Sequence, residues 1–128
     1  MMRSLSTLAL CGAFVFAAAS PPAIAAAEPK AKLKVVVAVK NGTTKTDWLY
    51  CNPDGGTHPA AKAACGLLRK AKGDPAKVNV NPRPVCTKEL TPHAVVVAGM
   101  WRGKPVRYAT IFGNECLMKA RTGALLSL

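Results

Sequence analysis

The sequence predicts an α+β domain, an antiparallel sheet with two helices packed on it. Three observations carry that expectation. Two β-branched runs meet at Asn41-Gly42, a valine-rich run and an alternating run meet at Arg102-Gly103, and an Ala- and Leu-rich segment with helix-stop residues after it lies between them. Hairpins separated by a helical segment give antiparallel pairing rather than the parallel order of alternating strand and helix units.

In chain order, Arg3 precedes an apolar run over residues 8–19, then Pro21-Pro22 and small residues ending at Ala25, Ala26 and Ala27. That is the layout of a secretory signal peptide. The run is too short to span a bilayer, which takes roughly 20 apolar residues. A lipid anchor at Cys11 fits poorly, because only a short apolar core precedes it and Leu10 is bulky. Residues 1–27 are therefore expected to be removed, leaving residues 28–128 as one domain of about 100 residues without membrane contact.

Residues 33–40, LKVVVAVK, read as a strand, and Asn41-Gly42 is a strong hairpin signal with the partner at about 43–50. Residues 52–56 are turn chemistry. Thr57 is placed to cap a helix, Pro59 suits its first turn, and the run continues to about Ala71. Gly73 and Pro75 stop it. Residues 78–92 read as loop. Residues 93–101 form a strand, Arg102-Gly103 a tight turn and residues 104–112 the return strand. A short helical turn fits 114–120, and ALLSL at 124–128 reads as a last edge strand. Val95, Val96 and Val97 are consecutive and apolar, so both faces of that strand are expected to be covered, one by a helix and one by a dimer partner.

From residue 28 onward lie all of the 18 Lys and Arg except Arg3, against six Asp and Glu. Such a balance suits nucleic acid, an anionic surface or an acidic partner. The cations are scattered, however. Lys30, Lys32 and Lys34 alternate like the wet side of a strand, and Arg69, Lys70 and Lys72 suit the negative pole of a helix. Rings able to stack on bases are few: Trp48, Tyr50, Trp101, Tyr108 and Phe112. No specific nucleic-acid site is expected. The alternative function this charge leaves open is a disulfide-stapled cationic protein that binds polyanions or the cell envelope.

Cys51, Cys65, Cys86 and Cys116 remain after residue 27, which in a small exported domain suggests two disulfides with three pairings open. There is no C-x-x-C, and His58 and His93 stand apart from cysteine pairs, so neither zinc nor any other cofactor is expected. Catalysis fails on inventory as well. Ser127 is the only serine from residue 28 on, oxidised cysteines cannot attack, and Glu28, Asp47, Asp54, Asp74, Glu89 and Glu115 form no evident acid–base pair. Asp54-Gly55-Gly56 lacks the spacing of a phosphate-binding loop. His58 and Trp101 read as structural residues.

One stretch remains to be explained, VCTKELTP over 85–92. Lys88 sits two residues after Cys86, with Pro82 and Pro84 before it and Pro92 after it. Prolines and a disulfide remove freedom before binding, as a loop that meets a protease without being cut requires. CNPDGGTHPAAKAACGLL, VCTKELTP and GMWRGKPVRYATIFGNEC together resemble the Streptomyces subtilisin inhibitor family, and the resemblance runs from about Leu33 to the final Leu128.

The resemblance implies bridges Cys51–Cys65 and Cys86–Cys116, a five-stranded antiparallel sheet with two helices, and a homodimer packed sheet to sheet. It implies reversible, substrate-like inhibition of extracellular serine proteases, subtilisin-like and trypsin-like. Lys88-Glu89 is then the reactive bond, with Val85, Cys86 and Thr87 before it and Glu89 and Leu90 after it. Lysine suits a pocket with an aspartate at its base, and Val85 would meet an apolar pocket. Asn114, two residues from Cys116, is expected to support the loop through its amide. Three features depart from the family pattern: a short first hairpin, Leu128 where an aromatic is common, and the strongly positive charge. They bear on assembly more than on the loop.

Overall fold

The structure, a computed structural model, describes residue 12 and residues 27–128. Apart from Gly12 and Ala27, the expected signal segment, Cys11 included, lies outside the described residues.

Five strands form one antiparallel sheet. β1 (Ala31–Val39) lies at its centre, hydrogen-bonded to β2 (Thr44–Cys51) on one side and β4 (His93–Trp101) on the other. β3 (Gly55–Gly56) extends the β2 edge and β5 (Lys104–Phe112) the β4 edge. Alternation decides which side chains face inward. Ala31, Leu33, Val35 and Val37 from β1 are buried with Leu49, Val95 and Val97, while Lys32 and Lys34 face solvent. Helix α1 (Ala61–Lys70) and α2 (Glu115–Thr122) cover that inner face, contributing Ala64, Leu68 and Met118. Leu33, Leu49 and Leu68 are fully buried, each contributing about 1.5–3 kcal/mol of transfer free energy.

Four expectations need correction. ALLSL is no strand: residues Gly123–Leu126 form a 3₁₀ helix. Leu125 and Leu126 are both buried, which alternation cannot achieve and a helical turn can. The fifth strand is Gly55–Gly56, paired with Leu49 and Tyr50, inside the segment read as a turn. Two glycines carry no side-chain pattern from which to read a strand.

The third correction concerns the start of α1. Thr57 does not cap it, because its Oγ1 accepts the Trp48 amide at 2.9 Å. His58 Nδ1 instead accepts the Ala60 amide, and its Nε2 lies 2.9 Å from the Leu125 carbonyl, so the buried ring ties α1 to the C-terminal turn. The helix accordingly begins at Ala61, beyond Pro59. Fourth, the helix ends at Lys70, and the left-handed residue that closes it is Lys72 at φ 55°, with Gly73 following at φ 82° and its amide on the Leu68 carbonyl at 2.8 Å. A Cβ on Gly73 would collide with the Trp101 ring. The first hairpin is also looser than a two-residue turn, with the Val39 amide reaching Thr43 at 3.1 Å. Arg102 and Gly103, by contrast, make the tight turn, both at positive φ.

The cysteines pair as Cys51–Cys65 and Cys86–Cys116, which is the pairing the resemblance implies.

Candidate functional site

Between the short 3₁₀ helix Pro75–Lys77 and β4 the chain has no regular structure. Pro82 and Pro84 disfavour the helical region for the residues before them, and the segment is tied down at its two ends. The Val80 and Asn81 amides donate to Arg121 and Ala120 of α2 at 3.0 and 2.8 Å, and the Arg121 guanidinium donates to the Val78 carbonyl. At the far end the Thr91 amide reaches Gly113, and the Pro92 carbonyl accepts from Lys40. Between those anchors the side chains project into solvent. Val85 is 99% exposed and Leu90 79%, and Thr87, Lys88 and Glu89 are exposed as well.

Two restraints act inside this exposed stretch. One is the Cys86–Cys116 bridge to the first turn of α2. The other is Asn114, only 5% exposed, at the cap of that helix. Its Oδ1 accepts the Leu117 amide at 2.9 Å, satisfying a free N–H of the first turn. Its Nδ2 donates to the Thr87 carbonyl at 3.0 Å and to the Glu89 carbonyl at 2.9 Å. One amide group therefore fixes a helix with its oxygen and both neighbours of Lys88 with its nitrogen. The Lys88-Glu89 peptide sits between two carbonyls held by the same donor.

Sequence reasoning missed two further residues. Thr91 Oγ1 donates to Glu89 Oε1 at 3.0 Å, holding the side chain just after the Lys88-Glu89 bond. His93 is buried at the start of β4, where its Nδ1 donates to the Thr91 carbonyl at 2.7 Å. Their nearness to Pro92, in the sequence T-P-H, is a weak signal that turn chemistry continues past the loop. Both line a concavity of about 280 Å³ behind the loop, together with Thr87, Asn114 and Cys116.

Lys88 has no ion-pair partner among the described residues. Glu115, in the first turn of α2, is bonded to Lys119 at 2.9 Å, and that contact lowers its carboxyl below the usual range. Cys51, Asp54 and Cys65 bring potential metal ligands within 4.8 Å of one another, but the sulfurs are bonded to each other and are not free thiolates. The expected loop residues 85–90, Asn114 and the second bridge thus come together, whereas His58, Trp101 and the first bridge lie in the body of the fold.

Comparison with known proteins gives a consistent set of relatives. A family model described as subtilisin inhibitor-like matches residues 30–114. A subtilase-type protease inhibitor of Streptomyces coelicolor is 35% identical over 96% of this chain and 91% of its own length. A trypsin inhibitor of Streptomyces longisporus is 37% identical over 89% of this chain and 85% of its own. Among solved structures, Streptomyces caespitosus sermetstatin in complex with Bacillus licheniformis subtilisin is similar with a TM-score of 0.64 and 26% identity. That likeness covers 77% of this chain and 98% of the other.

Proposed function

The chain belongs to the subtilisin inhibitor-like family, and from that premise we propose that it is a secreted inhibitor of subtilisin-like and trypsin-like serine proteases. Residues 85–90 enter the protease cleft as a substrate does. Lys88 fills the primary pocket, Val85 packs in an apolar pocket four places before the bond, and Lys88-Glu89 is presented for attack. The relatives carry inhibitor names rather than enzyme names, and one solved relative is bound to subtilisin.

The observation that carries the reading is the double contact from Asn114 to Thr87 and Glu89. A substrate loop is cut because its two new ends separate. Here the carbonyls on both sides of Lys88 stay on one buried amide, and Cys86 stays on Cys116, so a cleaved bond is left with its ends together. Resealing then competes with release, and rigidity before binding limits the entropy lost on association.

Export through residues 1–27 and a homodimer complete the proposal. The outer face of the sheet exposes Trp48, Val96, Met100 and Ile111 with Lys32, Lys34 and Arg107 set among them, so a second sheet packed there would meet apolar side chains and cations together. No helix among the described residues is long and apolar enough to cross a membrane.

The test is titration of subtilisin and trypsin activity with the oxidised protein and with Lys88→Gly. The wild type should titrate both enzymes stoichiometrically, and Lys88→Gly should lose roughly 100-fold or more against trypsin, the size of a hot-spot truncation. Subtilisin should be affected less. Failure to inhibit either enzyme at micromolar protein would overturn the proposal, and an unchanged trypsin titration would remove Lys88 from its role.

A further inference from the structure

We propose a second binding surface at the pole opposite the loop, a cationic concavity built to hold the phosphodiester backbone of a flexible polymer that has no bases to stack. The concavity measures about 360 Å³ and is lined by Arg69, Lys72, Trp101, Arg102 and Lys104. The strand register places it. Ala31 pairs with both Cys51 and Trp101, and Trp101 with Lys104, so the start of β1 and the β4–β5 turn share one end of the sheet. His93, Phe112 and the loop lie at the other end, about 27 Å away along a nine-residue strand.

Two backbone turns from different parts of the chain converge there on one ring. The end of α1 passes under Trp101 through Gly73, and the β4–β5 turn begins immediately after it. Four non-glycine residues of the described chain have positive φ. Asn41 and Asn52 are of the type that tolerates it. The other two are Lys72 and Arg102, cations in conformations where Gly or Asn would cost less. Both line this concavity. The negative pole of α1 accounts for Arg69 and Lys70 on the helix. It does not account for Arg102 and Lys104, which come from the sheet.

Of the four cations lining the concavity only Arg69 is matched by a carboxylate. Asp54 is held by Arg69 at 2.8 and 3.1 Å, and Asp74, in the adjoining concavity, accepts the Ala76 amide at 3.0 Å. Among the described residues, Lys72, Arg102 and Lys104 have no carboxylate partner. Trp101 is the one aromatic residue lining the site, and at 6% exposure it offers no face for stacking. Cations without a stacking platform read backbone charge and not bases. The backbone carbonyl of Lys30 accepts the Arg102 amide at 2.8 Å, which ties the β4–β5 turn to the start of β1. With the loop at the far end, a polymer and a protease can be bound together.

The experiment uses labelled poly(glycerol phosphate), followed by anisotropy across a salt series, with single-stranded DNA as the second probe. The test variant is Lys72→Asn, Arg102→Asn and Lys104→Gln, in which Asn suits the two positive-φ positions. The control removes the same charge elsewhere, through Lys34→Gln, Lys45→Gln and Lys62→Gln. The pole variant should lose roughly 10-fold or more in affinity and about two to three in the log–log salt slope, the control less than about threefold. Saturating polymer should leave the subtilisin titration of the wild type unchanged.

Equal losses in the two variants, no binding at low salt, tighter binding of DNA, or blocked inhibition would each overturn the proposal. Should the pole variant fail to fold, acetylation of the wild type decides by mass spectrometry. Polymer must protect Lys72 and Lys104 more than Lys34, Lys45 and Lys62, and equal protection sinks the site. The affinity and protection readouts do not depend on protease inhibition, so they stand or fall apart from the function proposed above.

Discussion

The two disulfides of this chain do different things with the same bond. Cys51 and Cys65 are both at 0% exposure, where they join the end of β2 to the middle of α1 inside the core. Cys86 and Cys116 join an irregular surface loop to the first turn of α2, and Cys116 is exposed. Sequence separations of 14 and 30 give about 3 and about 3.7 kcal/mol of chain-entropy stabilisation. Loop length alone therefore ranks the surface bridge higher. Surroundings reverse the order. Buried sulfurs are packing atoms whose removal leaves a void, whereas exposed ones restrain motion and little else. The first bridge belongs to the fold, the second to the proposed function.

Removing each bridge separately gives the largest effects and the sharpest test. Cys51→Ala with Cys65→Ala should destabilise by about 4–5 kcal/mol, the entropic part plus the cavity left by two sulfurs. Whatever remains folded should still inhibit subtilisin. Cys86→Ala with Cys116→Ala should cost no more than about 3.7 kcal/mol, yet turn the protein into a substrate cut at Lys88-Glu89. Calorimetry measures the first quantity, and progress curves with mass spectrometry measure the second. Persistent inhibition by the variant lacking Cys86 and Cys116 would mean that the surface bridge, like the core one, serves only the fold.

Asn114 offers a smaller and finer cut at the loop end, because its two roles use different atoms. Asn114→Ala loses both and should cost about 1 kcal/mol through the lost helix cap. Asn114→Asp keeps an oxygen for the Leu117 amide but has no hydrogen for Thr87 and Glu89. Its helix should be as stable as that of the wild type while its loop is cleaved about 10-fold faster, the scale of a buried hydrogen bond left unmade. If Asn114→Asp resists protease as the wild type does, the amide caps a helix and nothing more.

The same contrast explains what was legible in the sequence. β4 and β5 match the expected 93–101 and 104–112 to the residue, since a valine-rich run, an alternating run and the two-residue turn between them leave little freedom. α1 begins later than expected because a tertiary contact overrode a local signal: Thr57 bonds Trp48, and His58 holds the Ala60 amide just before the helix while its other nitrogen reaches Leu125. The C-terminal turn failed for the same reason, its leucines answering to the core and not to a neighbouring strand. Around the loop, cysteine and proline spacing and the family resemblance marked residues 85–90, and closeness to Cys116 marked Asn114. Thr91 and His93 stayed hidden, because a hydroxyl on Glu89 and a ring on a backbone carbonyl leave no trace in spacing. The basic pole was hidden as well, its cations lying far apart in sequence and meeting only through the register of the sheet.

The smallest effect belongs to the buried bridge's outer edge. Asp54 takes both Oδ atoms to the Arg69 guanidinium and accepts the Asn52 amide, spanning the loop that Cys51–Cys65 closes. The hydrogen bond from Arg69 lowers its carboxyl below the usual value. A carboxyl depressed in the folded state adds stability above its unfolded value, and that stability is lost as pH falls through the folded one. Asp54→Asn should therefore lower the melting temperature by a few degrees at most between pH 5 and 7, with the gap to wild type closing as pH falls below about 4. The pair is solvent-accessible, so salt should shrink the gap too. Protease titration should not change at any pH where both proteins are folded. A pH-dependent loss of inhibition in Asp54→Asn would mean that the two ends of the molecule are coupled, and that the core bridge also steadies the loop.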